Sequence, residues 1–164
     1  MFKIFQASED DVPAIIAMAE GTWWPTYLKI LSREQIRYML DTIYSPDLLR
    51  SQINSGTQTF LILSADGKPQ AFASFEVHPY DEKVYKINRL YVLPNNQRKG
   101  YGAALVNEIK QRVSERNICT LDLNVNRFNP ARHFYERIGF KVIREEDVPV
   151  GPYWMNDYVM RLEF

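Results

Sequence analysis

The most constraining feature of this sequence is the stretch from Ile87 to Val106, which combines a strand, a polar loop and a helix start. Its first part ends in apolar residues that favour β-structure, and Pro94 with two asparagines then stops the strand. The loop continues as Gln-Arg-Lys-Gly-Tyr-Gly over residues 97–102 and leads directly into an Ala-Ala-Leu-Val helix start. A helix that begins after such a loop points its first, unpaired N–H groups back into the loop.

These N–H groups predict an anion site. Unpaired backbone N–H groups and the positive end of a helix dipole together bind anions. Gly100 and Gly102 let a phosphate approach the backbone, because they carry no Cβ, and Arg98 and Lys99 add two cationic side chains. Taken alone, the two glycines are also compatible with an ordinary tight turn. In their strand–loop–helix context they favour a phosphate site, with pyrophosphate as the expected ligand.

Length and charge limit the class of protein. The 164 residues suit one domain with a real core, so we predict a single domain over residues 1–164. Lys+Arg and Asp+Glu both number 20, which makes the formal net charge zero. Because binding to a phosphate backbone requires a basic excess, nucleic acid is not expected as a partner.

Three observations bear on location and metal chemistry. Acidic residues closely follow the first six residues, so we expect neither a signal peptide nor a membrane span there, and no membrane partner. The single cysteine, Cys119, forms no internal disulfide, which favours a cytoplasmic protein, and we expect it to be a small buried apolar residue. The separation of His78 and His133 suits no metal motif, so no metal is predicted.

Hydrophobic periodicity predicts the fold class. Helical spacing dominates the first third after a short initial strand, and three alternating runs follow, with a hairpin signal at Asp66 and Gly67. Helices and strands then alternate. This succession predicts an α/β domain on one mixed sheet with helices on both faces. The predicted helices are 9–20, 32–43, 47–53, 100–116 and 130–137, and the predicted strands are 2–5, 59–63, 70–77, 84–92, 118–125, 140–144 and 153–162.

Aromatic residues mark two candidate substrate regions. Gly21 is expected to end the first helix, and Pro25 to prevent the following aromatic segment from being a regular helix. The aromatic side chains of this segment either staple two helices together or line an acceptor pocket, and both alternatives stay open. Tyr153 near the C-terminus shapes either the acceptor site or a homodimer contact. The candidate substrate-binding residues are Trp23, Trp24, Tyr27 and Tyr153.

Two motifs carry a family resemblance. The segment L-Y-V-x-P-x-x-Q-R-K-G-Y-G-x-x-L over residues 90–105 resembles the acyl-CoA motif of the GNAT superfamily of N-acetyltransferases. The segment N-P-A-R-H-F-Y-E-R-I-G-F over residues 129–140 is similar to the family's helix that ends in a tyrosine before a Gly-Phe pair. Both occur in the right order, and the succession of elements matches over almost the whole chain. The resemblance implies a GNAT-like fold with a mixed, mostly antiparallel sheet of about seven strands.

The resemblance also implies that acetyl-CoA is the acyl donor. Backbone groups at residues 90–92 would hold the pantetheine arm, a β-bulge is expected between Asn88 and Leu90, and residues 97–102 would wrap the pyrophosphate. The family often has an asparagine at the position of Phe128, and here Asn129 follows it. The implied cofactor-binding residues are Leu90, Tyr91, Val92, Gln97, Arg98, Lys99, Gly100, Tyr101, Gly102, Asn124, Asn129 and Arg132.

Amine acylation requires a base and profits from an acid. The acceptor ammonium must lose a proton before its nitrogen attacks the thioester directly, and Glu76 is the candidate base, with a solvated strand carboxylate as the alternative. Tyr135 is implied as the proton donor to the departing thiolate, and a core tyrosine is the alternative. No covalent acyl-enzyme is required, because holding both reactants together supplies much of the acceleration.

The acceptor is less constrained. A small amine or polyamine is favoured, because the aromatic segment and acids such as Glu20 and Asp157 suit a cation. An α-amino group or a lysine of a protein comes next. A non-catalytic acyl-CoA-binding domain is the alternative from a different functional class.

Overall fold

The structure, a computed structural model, describes residues 1–164 as a seven-stranded sheet with helices packed on it. The longest strands lie in the middle and at the C-terminus of the chain. The strands are β1 (Phe2–Gln6), β2 (Thr59–Ala65), β3 (Lys68–His78), β4 (Asp81–Val92), β5 (Thr120–Asn126), β6 (Lys141–Val150) and β7 (Tyr153–Glu163), and the helices are α1 (Val12–Tyr27), α2 (Arg33–Ile43), α3 (Pro46–Ser55), α4 (Tyr101–Ser114) and α5 (Ala131–Arg137).

The sheet has the order β1-β2-β3-β4-β5-β7-β6. All neighbouring strands are antiparallel except β4 and β5, which are parallel and are connected through α4. A parallel pair needs such a crossover, because the chain must return to the same end of the sheet. The predicted mixed, mostly antiparallel sheet of about seven strands is confirmed.

Each face of the sheet has its own hydrophobic core. One cluster packs under α4 and α5, around Leu105 and Ile109 of α4 and Phe140 before β6. The other packs under the first three helices, around Ile15 of α1 and Met39 of α2. Side chains of a strand alternate between these clusters, since successive residues point to opposite faces. The prediction of helices on both faces is therefore confirmed.

The predicted end of the first helix at Gly21 is wrong, because α1 continues through Pro25 to Tyr27. Proline costs little here, since it lies in the last turn, where its missing N–H removes a single helical bond. Gly21 has a packing role instead: a Cβ there would lie 3.0 Å from Leu93 Cδ2. The glycine thus lets α1 approach the end of β4 closely.

Two further expectations differ from the structure. Cys119 is exposed at the start of β5, not buried. The strand predicted over residues 140–144 extends as β6 to Val150 and forms a long hairpin with β7. Most residues of β6 are exposed, so the apolar pattern that predicts a strand ends before β6 does. No helix of the chain combines the length and the apolar character that a membrane crossing needs.

Candidate functional site

Strands β4 and β5 lie side by side for only part of their length. Their parallel pairing begins at Tyr85 and ends where Ile87 lies opposite Leu123. Beyond this point β4 remains paired only with β3, and β5 only with β7. The two strands therefore diverge, and the edge of β4 that faces β5 keeps N–H and C=O groups without a strand partner.

A β-bulge interrupts β4 where the divergence begins. Ser74 of β3 pairs with Arg89, whereas the next residue, Phe75, pairs with Ile87, so Asn88 is the extra residue of β4. The bulge lies within the segment where the sequence predicts it. Because a bulge bends its strand and changes the direction of its backbone groups, it can direct an N–H into the gap between β4 and β5.

The loop after β4 ends in a helix start with free N–H groups. Gly100 is the N-cap of α4 and has a φ of 81°, in the left-handed region that favours glycine. It offers no side-chain acceptor, and the N–H of Ala104 donates to its C=O at 3.0 Å. The N–H groups of the first turn therefore have no intrahelical acceptor. The φ of Arg98, 66°, is also left-handed, and such residues turn neighbouring N–H groups toward one concave site for an anion.

The surroundings of this helix start leave room for a ligand. A Cβ at Gly100 would meet no heavy atom within 4 Å. The Gln97 side chain donates to the Val92 C=O at 3.3 Å, and Lys99 Nζ donates to Asn96 Oδ1 at 3.0 Å. The first bond holds the loop against the end of β4, and the second lies within the loop. The predicted phosphate-binding residues therefore share one loop, which is open to solvent at its centre.

Tyr135 lies on α5 and is largely buried. Its ring packs edge-on against Phe134 and Phe140, at centroid distances of 5.4 and 5.8 Å. Burial, followed by the nearby Tyr27, raises the pKa of Tyr135 above its usual range, and no hydrogen bond opposes this shift. At neutral pH the hydroxyl is therefore protonated and able to donate.

Two more tyrosines meet on the other side of the sheet. The hydroxyl oxygens of Tyr27 on α1 and Tyr91 on β4 lie 3.4 Å apart. Burial raises the pKa of both phenols, and the neighbouring Tyr135 adds to the shift of Tyr91. Tyr27 and Tyr91 thus occupy a largely buried region on the face of the first three helices, and Tyr135 is near enough to raise the pKa of Tyr91. In such a region, charges and hydrogen bonds act more strongly than in water.

The aromatic residues of α1 have different surroundings. Trp23 is 4% exposed and donates through Nε1 to the Tyr44 hydroxyl at 3.3 Å, as expected of a core residue. Trp24 is half-buried and donates to Glu20 Oε2 at 2.9 Å. The Trp23 ring lies 6.0 Å from the Tyr91 ring, and Tyr27 is the residue whose hydroxyl meets that of Tyr91.

Tyr153 stands at the start of β7, away from this tyrosine group. Its ring lies 5.3 Å from that of Tyr38 on α2. The same helix holds the hairpin through Gln35, whose Nε2 donates to the Trp154 C=O at 2.9 Å. The tip of the β6–β7 hairpin is thus fixed to α2.

Glu76 is half-buried on β3, directly across from Lys86 on β4. Opposite charges in such cross-strand positions attract each other. Its neighbour Phe75 belongs to the cluster under α4, so Glu76 points to the opposite face, toward the first three helices.

Asp157 was predicted only as one of several acids suited to a cation, but the structure gives it a distinct environment. It is 7% exposed on β7, and its Oδ2 accepts from Asn124 Nδ2 at 3.2 Å. The same amide donates to Glu146 Oε2 on β6 at 3.2 Å. Burial raises the pKa of Asp157, the Asn124 hydrogen bond opposes the shift, and the charge of Glu146 adds to it. Sequence reasoning missed Glu146 entirely, because only the β6–β7 register brings it here.

Asn129 and Arg132 flank the start of α5. Asn129 is 8% exposed, and its Oδ1 accepts from the backbone N–H two residues later at 2.9 Å. Phe128, at the position where the family often has asparagine, is 73% exposed. Arg132 pairs with Glu136 at 3.1 Å and lies 5.3 Å from the Tyr158 ring centre.

The arrangement fits an acyl-CoA ligand. An extended pantetheine arm requires an open strand edge, which β4 provides beyond Ile87. A pyrophosphate requires converging N–H groups and open space, which the α4 start provides at Gly100.

Comparison with known proteins supports the same class. The family described as Acetyltransferase (GNAT) domain matches residues 27–162. An uncharacterized N-acetyltransferase of Lactobacillus delbrueckii subsp. lactis is 26% identical over 165 residues, covering 97% of this chain and 95% of the relative. A spermidine N(1)-acetyltransferase of Thermoplasma acidophilum is 28% identical over 143 residues, covering 85% of this chain and 88% of the relative.

A solved structure is similar over the full length. The crystal structure of the PaiA N-acetyltransferase of Thermoplasma acidophilum in complex with coenzyme A superposes with a TM-score of 0.86 at 27% identity. The match covers 100% of this chain and 99% of that protein.

Proposed function

Because this chain belongs to the GNAT family and is an acetyl-CoA-dependent N-acetyltransferase, we propose that it acetylates the primary amine of a small cationic molecule. One observation carries the proposal, the divergence of β4 and β5 beyond Ile87. The gap has a free helix start at Gly100 on one side and the buried carboxylate of Asp157 on the other. These two features support an anionic donor and a cationic acceptor on either side of the gap.

The donor is held mainly by backbone groups. Residues 90–92 offer the free edge of β4 to the pantetheine arm, and the loop over residues 97–102 holds the pyrophosphate. The exposed Arg98 and Lys99 contact the outer phosphate, and Asn124, Asn129 and Arg132 line the opposite side. When bound, acetyl-CoA supplies a thioester carbonyl that an amine can attack.

Two groups of the chain stabilise the charges that develop. The bulge around Asn88 supports a backbone N–H donor to the carbonyl oxygen, since a fixed donor there would stabilise negative charge. The protonated Tyr135 hydroxyl donates to the departing sulfur, supported by the raised pKa that burial gives it. Two carboxylates on the face of α1 are available as proton acceptors, Glu76 on β3 and Asp157 on β7.

A polyamine is the favoured acceptor, in the cytoplasm. The relative named as a spermidine N(1)-acetyltransferase supports this class. The paired carboxylates of Asp157 and Glu146 supply negative charge beside the gap. Tyr27 meets Tyr91 of β4 beside the gap, and Trp24 and Tyr153 are further aromatic candidates for the acceptor, since aromatic faces attract cations.

The test is a screen that counts the free thiol released from acetyl-CoA. The amines are spermidine, spermine, monoamines, a lysine peptide and a peptide with a free N-terminus. We expect turnover with polyamines and weak or no turnover with both peptides. Calorimetric binding of CoA without thiol release from any amine would instead indicate a binding domain, and turnover confined to the peptides would exclude the small-molecule acceptor.

A further inference from the structure

Asp157 has a buried oxygen atom with no partner in the protein. Its Oδ2 accepts from Asn124, but Oδ1 is inaccessible to solvent and receives no hydrogen bond. Leaving a buried acceptor without a donor costs about 1–3 kcal/mol, and more for a charged group. Such an atom requires an explanation, and a ligand that brings the missing donor provides one.

The unpaired oxygen belongs to one wall of the gap. Asp157 pairs with Asn126 at the end of β5, beyond Leu123, where β5 leaves β4. Its neighbour Tyr158 packs against the cluster under α4 and α5, so Asp157 points to the opposite face. Tyr27 lies on that face, where burial and the charge of Asp157 raise its pKa.

A second unpaired atom lies across the divergence. Asn88 Nδ2, at the bulge of β4, is also buried without a hydrogen-bond partner. Asn88 is the extra residue of the bulge and follows Ile87, whose pairing with Leu123 is the last one between β4 and β5. An unpaired acceptor on β7 and an unpaired donor on β4 thus occur on either side of the point where β4 and β5 separate. This combination suits a polar ligand between the strands.

We propose that Asp157 Oδ1 binds the acceptor ammonium and takes its proton, so that Asp157 is the catalytic base of the acetyl transfer. The inference rests on the proposed function and assigns the base to β7, whereas sequence chemistry favours Glu76. The two differ in position, because Glu76 pairs with Lys86 where β4 is still joined to β5. Asp157 lies beyond the point where β4 and β5 separate.

The proton balance follows from this placement. One proton passes from the ammonium to Asp157, which leaves a neutral amine with a lone pair. The nitrogen forms a bond to the acetyl carbon as the carbon–sulfur bond breaks. Tyr135 gives its hydroxyl proton to the departing sulfur. The nitrogen then loses its second proton, which restores the Tyr135 hydroxyl. Asp157 then releases its proton to solvent, so one proton is produced per amide formed.

The surroundings set the proton affinity of Asp157. Glu146 faces it from β6, Lys86 from β4, Arg127 from the end of β5 and Tyr27 from α1. Burial and then the charge of Glu146 raise the pKa of Asp157, while the Asn124 hydrogen bond and the two cations oppose this shift, so the basicity of the carboxylate is increased. A base works best when its pKa approaches the working pH.

The decisive experiment compares Asp157→Asn with Asp147→Asn, using spermidine and acetyl-CoA across a pH series. Asp147 is an exposed carboxylate of the same hairpin, paired with Arg127 at 2.9 Å. Loss of a general base lowers the rate by about 100-fold or more. We expect this loss in kcat/KM for Asp157→Asn, together with loss of the acidic limb of the pH profile. The Asp147 variant keeps both.

Glu76→Gln measures the competing assignment. If this variant loses the acidic limb and Asp157→Asn keeps wild-type kcat/KM, the assignment to Asp157 is wrong, while the acetyltransferase function stands. Melting curves show whether each variant is folded.

A binding readout separates this inference from the proposed function. Calorimetry of spermidine on the CoA-bound protein is expected to show about tenfold weaker binding to Asp157→Asn, the effect of losing one charged contact. Equal affinity in wild type and variant overturns the ammonium site. If the wild type releases no thiol with any amine, the proposed function fails, yet the affinity comparison still tests Asp157.

Discussion

The two walls of the gap between β4 and β5 are built in different ways. The cofactor wall, from Ile87 to Gly102, presents backbone groups: a free strand edge, a bulge and an uncapped helix start. The acceptor wall, formed by the second half of β5 and the middle of the β6–β7 hairpin, presents side chains, chiefly Asp157, Glu146 and Asn124. The first requires a particular backbone path, whereas the second requires a register that brings distant residues together.

This difference separates the two halves of the function. In the proposed function, backbone groups bind the constant part of the reaction, the acyl donor, and tolerate most changes of exposed side chains. Side chains contact the variable part, the acceptor, so a single substitution there can change the amine that is used. Changes to the backbone should therefore weaken donor binding at the cofactor wall. At the acceptor wall, the loss of a single charged side chain should be enough to impair the use of the amine.

The largest expected effect is on the cofactor wall. In Gly100→Glu, a carboxylate replaces open space beside the helix start. Two like charges about 4 Å apart repel by about 4 kcal/mol at an effective dielectric constant near 20, which corresponds to roughly 1000-fold weaker CoA binding. Calorimetric titration with CoA measures the loss.

Gly67→Glu is the matched control for this variant. Gly67 also has a positive φ, 75°, and open space around it, but it lies in the β2–β3 turn. Both variants therefore carry similar backbone strain, of about 1–2 kcal/mol. Unchanged CoA affinity in Gly100→Glu, or equal losses in both, contradicts a phosphate site at the α4 start.

The second effect tests what holds the acceptor wall. Asp122 on β5 is 1% exposed, and both its oxygens accept from Arg161 on β7, at 2.7 and 2.9 Å. Arg161→Met leaves this carboxylate buried without its cation, which costs about 3 kcal/mol of the free energy of unfolding. Urea unfolding measures the loss, while the CoA affinity of the folded fraction stays constant.

Arg37→Met provides the comparison for that loss. Arg37 pairs with Glu20 and Asp41 at the surface, where its side chain is 46% exposed. Exposed pairs contribute only about 0–1 kcal/mol. Similar losses in both variants mean that the β5–β7 pairing does not depend on the buried ion pair.

The third effect concerns Tyr135, the proposed proton donor. Tyr135→Phe removes the donor hydroxyl and keeps the ring packing, so kcat is expected to fall by about 100-fold with little change in the KM for acetyl-CoA. Tyr85→Phe is the control, since Tyr85 is also buried and its hydroxyl contacts Arg116 at 2.6 Å, away from the gap. If Tyr135→Phe keeps the wild-type rate and pH profile, Tyr135 is a core residue and not the proton donor.

The contrast between the walls also explains which parts of the site can be predicted from the sequence. The cofactor wall is predictable because the strand stop, the loop glycines and the helix start are consecutive in the chain. The acceptor wall is not, because Asp157 meets Asn124 and Glu146 only through strand register. Local rules also fail at Pro25, where helix packing and the position in the last turn outweigh the intrinsic penalty.

The smallest effect concerns stability and has the opposite sign. Asp157→Asn is expected to stabilise the fold by about 1 kcal/mol at neutral pH, since it removes a buried charge with an unpaired oxygen. Burial raises the pKa of Asp157 in the folded protein. As the pH rises, the unfolded chain therefore loses this proton first, and the wild type loses stability between the ordinary carboxyl pKa and the raised one.

The difference in melting temperature between wild type and Asp157→Asn should thus be absent in acid, increase above about pH 4 and level off above the folded pKa. Asp147→Asn, which removes an exposed carboxylate, should show no such gain at any pH. A difference that is independent of pH, or a variant less stable than wild type at neutrality, means that the Asp157 charge is already satisfied within the protein. The polar groups of the acceptor wall would then all have partners within the protein, as Asp122 and Arg161 do. No unpaired charge would remain there to bind an ammonium.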